Sequence, residues 1–421
     1  MKILGLNISR RSTITAEQAL EKAGFITTGS HSGVTVTEQS ALAFSAVWAC
    51  NQVLSQTIGQ LPINLFKTTD NGKEIASDHY LQKIIKTEPN ELMTSSKFRE
   101  FVMTYYNMYG NGYAKIKRKR ATKEIEELQP IPASLVTPYL NKSGRLYYKV
   151  QRGTDQNPES EIIPARDMIH IPGMGWDGIQ GLSPIKIAQE TIGLAIAATE
   201  FGARFFGQGT TLSGVIEFPT VVNNAARKNL TEGFKKAYQG LGKSHGIPVL
   251  EQGAKFNPIS MPLEDAQYLQ TRQFQVTDIA RIYRVPPHKI ADLSRSTNNN
   301  IEHQGIEFVQ DTITPIVVAW EQELNRKLLT EDEKEKYFFK FSLNGLLRGD
   351  IKTRSAYYKE GIWAGWLSQN DIRQLEDLNK IEGGNDYWIP TNLVPIDKYD
   401  EVMKSKETQP PIKPTEDEKS K

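Results

Sequence analysis

Pro262-Leu-Glu-Asp-Ala-Gln-Tyr-Leu269 opens the stretch that decides this fold. It continues through Arg281-Ile-Tyr-Arg-Val-Pro-Pro287, His288-Lys-Ile-Ala-Asp-Leu-Ser-Arg-Ser-Thr-Asn-Asn-Asn300 and on to Leu329. The pattern predicts helix, polar loop, longer helix. Pro262 suits a first helical turn, where a missing N–H costs nothing. Leu269, Val276, Ile279, Ala280 and Tyr283 recur on one helical face. Val285-Pro286-Pro287 ends that helix, because a residue before proline is driven out of the α region. The polar loop is expected over His288–Asn300; from Ser294 to Asn300 no apolar residue anchors the chain, so that run is expected to be mobile. Asn300 is a suitable cap for the next helix. That helix is expected over Ile301–Leu329, or ~40 Å at the usual rise. Pro315 in its middle removes the bond to the Asp311 carbonyl and is expected to kink it. Alone, this stretch fits an ordinary helical hairpin equally well, so the rest of the chain must decide.

The 421 residues suffice for two or three domains and a large core. Net charge is only +2, which argues against a surface built throughout to clamp phosphates. The single cysteine, Cys50, excludes an intramolecular disulfide framework and an all-Cys zinc site. It sits in an apolar helical pattern and reads as a core thiol. Met1–Ile8 is too short an apolar run for a secretory signal. Ile192–Phe206 is interrupted by Thr199, Glu200 and Arg204 and falls short of a membrane span. These features lead to the expectation of a protein assembled in the cytoplasm, with no membrane partner.

Residues 1–37 read as a loosely ordered arm. A helix is expected over Ala41–Ile58, then a hairpin of Pro62–Lys67 and Lys73–Ala76 around Asp70-Asn71-Gly72. A second helix, Ser95–Tyr109, has Ser96 as its expected cap and Phe98, Phe101, Val102, Tyr105 and Met108 as its apolar face. Strands follow at Tyr113–Lys117, Glu126–Gln129, Leu146–Gln151 and Met168–Ile171, completing an α+β unit. Ser183-Pro184 caps and opens a helix running to about Phe206. A small α/β insert spans Thr211–Met261: strand Gly214–Phe218, helix Asn224–Gln239, strands Ile247–Leu250 and Lys255–Ile259. The helices bracketing it, Pro184–Phe206 and Pro262–Val285, read as a stalk. Tyr337–Leu343 alternates like a strand returning to the first unit. Thr353–Asn379 reads as two or three short helices. Beyond Asp397 the chain is Lys, Glu and Pro with little to bury, and disorder is expected.

Two glycine motifs invite a phosphate reading. Ala237 through Gly242-Lys243-Ser244 approximates a nucleotide P-loop, but the expected order is helix–turn–strand, the reverse of what phosphate binding needs. Gly173-Met-Gly175-Trp-Asp-Gly178 follows a strand, yet the next helix starts at Ser183-Pro184 rather than at the third glycine. Both read better as turns. Lys115, Lys117, Arg118, Lys119, Arg120 and Lys123 form a basic cluster that could face nucleic acid, although Glu124, Glu126 and Glu127 follow at once. The histidines show no metal spacing. No catalytic constellation, cofactor site or metal site is legible.

In combination, several segments resemble the portal proteins of tailed bacteriophages, in particular the compact class of phages with long non-contractile tails. Ala46-Val-Trp-Ala-Cys50 through Gly59-Gln-Leu-Pro62 resembles that family's first wing helix and following strand. Gly110-Asn-Gly-Tyr113, Met168-Ile-His170, Gly181-Leu-Ser-Pro184, Phe205-Phe206 to Gly214-Val215, Arg281 to Pro286, Ser296-Thr-Asn-Asn299 with Ile301-Glu302, and Pro315 follow in the family's order. The match covers roughly Ala41–Pro395.

The resemblance implies an α+β portal fold and a ring of identical subunits, usually twelve, at one capsid vertex of the virion. Double-stranded DNA would pass non-specifically through its channel during packaging and ejection. Between the arm (1–37) and the disordered tail (397–421), both read from composition alone, it divides the chain into wing (38–181), stem helices (182–210 and 262–285), clip (211–261), tunnel loop (286–300), kinked wing helix with return strand (301–349) and helical crown (350–396). The channel-lining residues would be His288, Lys289, Asp292, Ser294, Arg295, Ser296, Thr297, Asn298, Asn299 and Asn300, with Pro315 the helix kink. Partners implied are the terminase large subunit, the head–tail adaptor, and the major capsid and scaffolding proteins. A near-neutral chain with a Ser/Asn-rich loop suits weak, sequence-blind DNA contact, since each neutralised phosphate adds affinity and so friction. The small residues Gly193, Ala195, Ala197 and Ala198 suit close packing of stem helices. Two other functions compete: a nucleotide-driven motor subunit using Gly242-Lys243-Ser244, and a monomeric nucleic-acid-binding module using the basic cluster.

Overall fold

The computed structural model describes residues 2–3, 6–7, 30–69, 72–154, 157–207, 214–217, 228, 255–258, 265–293, 298–343, 345–346, 351–376 and 378–388. It divides into two compact units, residues 1–345 and 346–421.

Within the first unit, two short strands, β1 (Lys2–Ile3) and β2 (Leu6–Asn7), pair at the start of the chain. The helix expected from Ala41 is two helices, α1 (Glu38–Leu42) and α2 (Ser45–Gln60), split at Ala43-Phe44. Thr37 and Ser40 form a reciprocal capping box that starts α1 ahead of the apolar run. Strands β3 (Ile63–Thr69) and β4 (Gly72–Ile75) make the expected hairpin, with Thr69 opposite Gly72. After α3 (Tyr80–Lys86), helix α4 (Ser95–Tyr109) is capped by Thr94, whose hydroxyl accepts the Lys97 N–H, and not by Ser96. Ser95 instead donates its hydroxyl to the Ile85 carbonyl. Gly110 ends α4 in the left-handed conformation that glycine adopts freely (φ 71°).

Strands β5 (Asn111–Arg118) and β6 (Ile125–Ile131) are antiparallel. A second sheet holds β7 (Val136–Leu140), β8 (Leu146–Thr154) and β9 (Asn157–Pro164). β7 and β9 were missed by the alternation pattern; Pro138 interrupts β7, and prolines and glutamates interrupt β9. β10 (Met168–Pro172) returns to pair with β5, placing His170 opposite Tyr113. One hydrophobic cluster joins the two sheets through Tyr113, Ile131, Tyr148, Val150, Ile163 and Met168.

Ser183 caps α5 (Pro184–Ile187) by accepting the Lys186 N–H, as expected; the helix then breaks at Ala188 before α6 (Gln189–Gly207). Of the insert, β11 (Gly214–Glu217) and β12 (Lys255–Pro258) are described and pair antiparallel. Its expected helix Asn224–Gln239, apart from the helical residue Lys228, and strand Ile247–Leu250, the Gly242-Lys243-Ser244 turn and the tail after Asp397 lie outside the described residues. α7 (Asp265–Ile282) packs against both α6 and α2. Its expected start at Pro262 is also outside them, but Ile279, Ala280 and Tyr283 are buried on the predicted face.

The helix expected over Ile301–Leu329 with a kink at Pro315 is three pieces: α8 (Asn298–Glu307), a π-helical turn at Phe308–Ile313, and α9 (Thr314–Leu328). α9 lies across β10 and β13 (Tyr337–Phe341), after the short α10 (Glu331–Lys334). β13 pairs with β3, so the chain returns to the first unit as expected. Trp320 on α9 is 1% exposed, meets Phe98 edge-on at 6.5 Å and donates its indole N–H toward the Met103 sulfur. Burial of one such ring supplies about 3 kcal/mol, which makes α9 the pin through this unit. Among its described residues the second unit contains two helices, α11 (Ile351–Trp363) and α12 (Gln369–Leu375), the latter opened by a Ser368–Asp371 capping box.

No helix among the described residues is long and apolar enough to cross a membrane.

Candidate channel segment and the scaffold behind it

The segment expected to line a channel leaves α7 through a C-terminal motif that normally uses glycine. Arg284 takes the left-handed conformation (φ 55°), and the Val285 N–H reaches back to the Ala280 carbonyl at 2.9 Å. Pro286 and Pro287 then start a 3₁₀ turn, Pro287–Ile290, which Ala291 ends at φ 65°. Asp292 N–H closes it on the Pro287 carbonyl. The first part of the loop is therefore ordered by local hydrogen bonds. His288 Nδ1 lies 2.9 Å from Gln304 Oε1 on α8, and Lys289 Nζ sits 5.8 Å from the Phe308 ring centre.

Ser294, Arg295, Ser296 and Thr297 lie outside the described residues. Asn298, Asn299 and Asn300 are not loop: they form the first turn of α8, so Asn300 is not its cap. Asparagine is tolerated there because first-turn N–H groups lack an intrahelical partner anyway. Pro315 stands at the start of α9, directly after the π-helical turn, where the Thr314 N–H reaches five residues back to the Val309 carbonyl. A cleft of about 420 Å³ separates the end of α7 from this turn, lined by Arg281, Arg284, Gln304, Glu307, Phe308 and Asp311 among others.

The glycine motifs are structural. A Cβ on Gly175 would stand 1.8 Å from the Gln180 carbonyl oxygen, and one on Gly181 would stand 2.0 Å from that of Gly110. Gly173 N–H donates to the Gly110 carbonyl. These glycines let two loops touch backbone to backbone; no helix N-terminus begins at Gly178, so the dinucleotide geometry is absent there.

Most of the basic cluster is spent on carboxylates. Lys115 pairs with Glu161, Lys117 with Glu126 and Glu127, Arg118 with Asp167, and Lys119 with Glu124. Such pairs leave little free positive charge for phosphates. Cys50 is fully buried and its thiol is pushed up to about 12 by desolvation, so it is not a nucleophile.

Sequence reasoning missed a buried polar network behind β10. Asn111 Oδ1 accepts the Gly181 N–H at 2.8 Å, while its amide nitrogen donates to the Gly181 and Tyr109 carbonyls. That orientation makes Oδ1 an acceptor toward His170 Nε2, 3.0 Å away, so Nε2 carries the proton. His170 Nδ1 then accepts from the Tyr148 hydroxyl at 3.0 Å. Burial, followed by the charges of Lys327 and Arg326, lowers the His170 pKa to about 3 and keeps the ring neutral. Glu323 on α9 accepts the His170 backbone N–H and pairs with Arg326; burial raises its pKa. A second such device is Arg99, whose guanidinium donates to the carbonyls of Ile58, Gly59 and Leu61 at the end of α2. Burial lowers its pKa to about 10. Met168-Ile-His170 and Gly110-Asn-Gly-Tyr113 were the available signals, but nothing in sequence couples an Asn to a His 59 positions away.

The comparisons agree with this scaffold. The family model described as phage portal protein matches residues 45–377. The portal protein of Enterobacteria phage HK97 is 29% identical over 366 residues, 86% of this chain and 85% of that protein. The probable portal protein of Streptomyces phage phiC31 is 32% identical over 373 residues, 86% of this chain and 81% of the relative. Among solved structures, an HK97-family phage portal protein from Corynebacterium diphtheriae superposes with a TM-score of 0.55 at 16% identity, covering 75% of this chain and 99% of that one. A chain from the neck of a native gene transfer agent particle, computed with C12 symmetry, gives a TM-score of 0.55 at 17% identity over 82% of this chain and 92% of that one. The solved structures share the fold, and the family match runs from α2 to α12 without leaving either unit out. The chain belongs to the phage portal protein family.

Proposed function

We propose that this chain assembles into a twelve-membered ring at one capsid vertex and that its tunnel loop, residues 286–300, faces the passing DNA. As a phage portal protein it is a structural part of the virion, not an enzyme, and its ring is the route for DNA packaging. The observation that carries this reading is the family match over residues 45–377. Twelve as the copy number is supported by the C12 symmetry of the related neck.

In this reading residues 38–181 and 301–349 are the wing, 182–210 and 262–285 the stem, 211–261 the clip and 350–396 the crown. The arm, 1–37, and the tail, 397–421, lie outside that plan. The clip docks the terminase large subunit during packaging and the head–tail adaptor afterwards. The wing meets the major capsid and scaffolding proteins during assembly in the host cytoplasm. His288, Lys289, Asp292, Ser294, Arg295, Ser296, Thr297, Asn298, Asn299 and Asn300 touch DNA weakly and without sequence preference, and Pro315 bends the helix behind them. Support comes from their chemistry: a near-neutral Ser/Asn segment cannot hold phosphates tightly. The test is imaging of the purified oligomer together with an ATPase assay. A closed ring without ATP hydrolysis is expected; a monomer with tight, salt-sensitive DNA binding would overturn the reading.

A further inference from the structure

We propose that the π-helical turn Phe308–Ile313 is a two-position joint. In this scheme α8 occupies either the present register or one a single residue over, with the turn closed to an ordinary α-helical one.

The anchoring is unequal on the two sides of the turn. Beyond it, Ile316, Val317, Trp320 and Leu324 are buried and fix α9. Ahead of it, none of the side chains from His303 to Glu307 is buried. Buried side chains begin at Phe308, so turning residues 303–307 uncovers none of the described core. π-turns are rare and recur at positions that move or act.

Specific groups hold the turn wide. In an α-helical register the Pro315 ring would strike the Asp311 carbonyl, and widening the turn relieves that collision. Thr312 Oγ1 donates to the Arg284 carbonyl at 2.8 Å, tying the turn to the end of α7. Thr314 Oγ1 donates to the Val309 carbonyl, also at 2.8 Å. On the other side of the tie, Arg284 and Ala291 are two of the three described non-glycine residues at positive φ, and they bracket the Val285–Ile290 segment. Backbone strain concentrated at both ends of one short segment marks a place where two arrangements compete. The cleft between Arg284 and Asp311 leaves room for the change.

Closing the turn would rotate α8 by ~100° and advance it by ~1.5 Å, the increments of one α-helical residue. Gln304 would leave His288, and Thr312 would release Arg284. The joint stands on this geometry alone; its use, re-aiming the channel segment, rests on the portal reading.

Nitroxide labels at Glu307→Cys and Gln322→Cys, both exposed, report the register while the buried Cys50 is left in place. Labelled subunits are diluted with unlabelled ones, and the intramolecular distance is read by pulsed dipolar spectroscopy. We expect one dominant distance in the parent protein. Pro315→Ala, and separately Thr312→Val, should raise a second distance several ångströms away. One identical distance in all three proteins would overturn the joint. Native mass of the same samples separates the two ideas. A ring with one unchanging distance removes the joint and leaves the portal reading, whereas loss of the ring in the parent removes that reading and leaves the joint to be judged on its distances.

Discussion

His170 Nε2 donates to Asn111 Oδ1 across 3.0 Å, and the same oxygen accepts the Gly181 N–H. One side chain thus links β5, β10 and the loop leading to α5. Asn111→Ala would leave the His170 N–H and both backbone groups of Gly181 buried without partners. Each orphan costs about 1–3 kcal/mol, less whatever water recovers. We expect a loss of about 3 kcal/mol, read as a lower urea midpoint for the purified protein. An unchanged midpoint would show that the three segments hold together by backbone packing alone.

The same histidine sets a pH dependence. Its folded pKa, about 3, lies below its ordinary value of 6.5, so the unfolded chain binds the proton more readily. Its contribution to stability is therefore complete above about pH 6.5 and declines as pH falls toward 3. Within that window the slope is up to ~1.4 kcal/mol per pH unit from this group. His170→Gln should flatten the stability profile between pH 6 and 4, relative to the parent, even though it lowers stability overall. A mutant with the parent's slope would assign the acid sensitivity elsewhere.

Arg99 gives a prediction about charge rather than protonation. Its fork satisfies three carbonyls at the end of α2, and Phe341 lies 5.9 Å beneath it. Arg99→Met keeps the packed volume but orphans those carbonyls, and should cost about 3 kcal/mol. Arg99→Lys should recover only part, because an ammonium cannot reach all three in one plane. Equal stability of the Met and Lys variants would mean that the stem of the side chain, not its donors, matters.

These two sites explain where sequence reading stops. The helix–loop–helix around Pro286, the Asn71-Gly72 hairpin and the Ser183 cap were legible because their causes are local: a proline's fixed φ, a turn dipeptide, a hydroxyl three residues from an N–H. The π-turn was not legible. Pro315 announces a disturbance in the helix, but whether the chain kinks or widens depends on what Thr312 finds across the interface, and that is Arg284. β7 and β9 were lost for a similar reason: Pro138, Pro158 and Pro164 break the alternation, while pairing partners on β8 impose the strand. Of the candidate channel segment, sequence marked its polarity but placed Asn298–Asn300 in the loop, since an Asn run carries no apolar periodicity to announce a helix.

Lys243 should do no phosphate chemistry. The helix–turn–strand order that the sequence predicts around Gly242-Lys243-Ser244 would point no row of backbone N–H groups at an anion. Purified protein is expected to bind and hydrolyse no ATP, and Lys243→Ala to change nothing. Hydrolysis by the parent that disappears in the variant would make this chain a motor subunit after all.

The candidate channel segment allows the sharpest test. The turn Pro287–Ile290 and helix α8 are held by their own hydrogen bonds, so the four residues between Leu293 and Asn298 can be exchanged without cutting either element. Ser294, Arg295, Ser296 and Thr297 carry no apolar side chain, so they have little hydrophobic energy to contribute to folding or ring contacts. Replacing Ser294–Thr297 with Gly-Ser-Gly-Ser also removes Arg295, the cation best suited to touch a phosphate. Rings should therefore assemble at the normal size, while particles built with them package or retain less DNA. Oligomer mass and DNA content per particle are the two measurements. Normal filling would remove these residues from translocation. Loss of the ring would mean that they join neighbouring subunits and that the channel lies elsewhere.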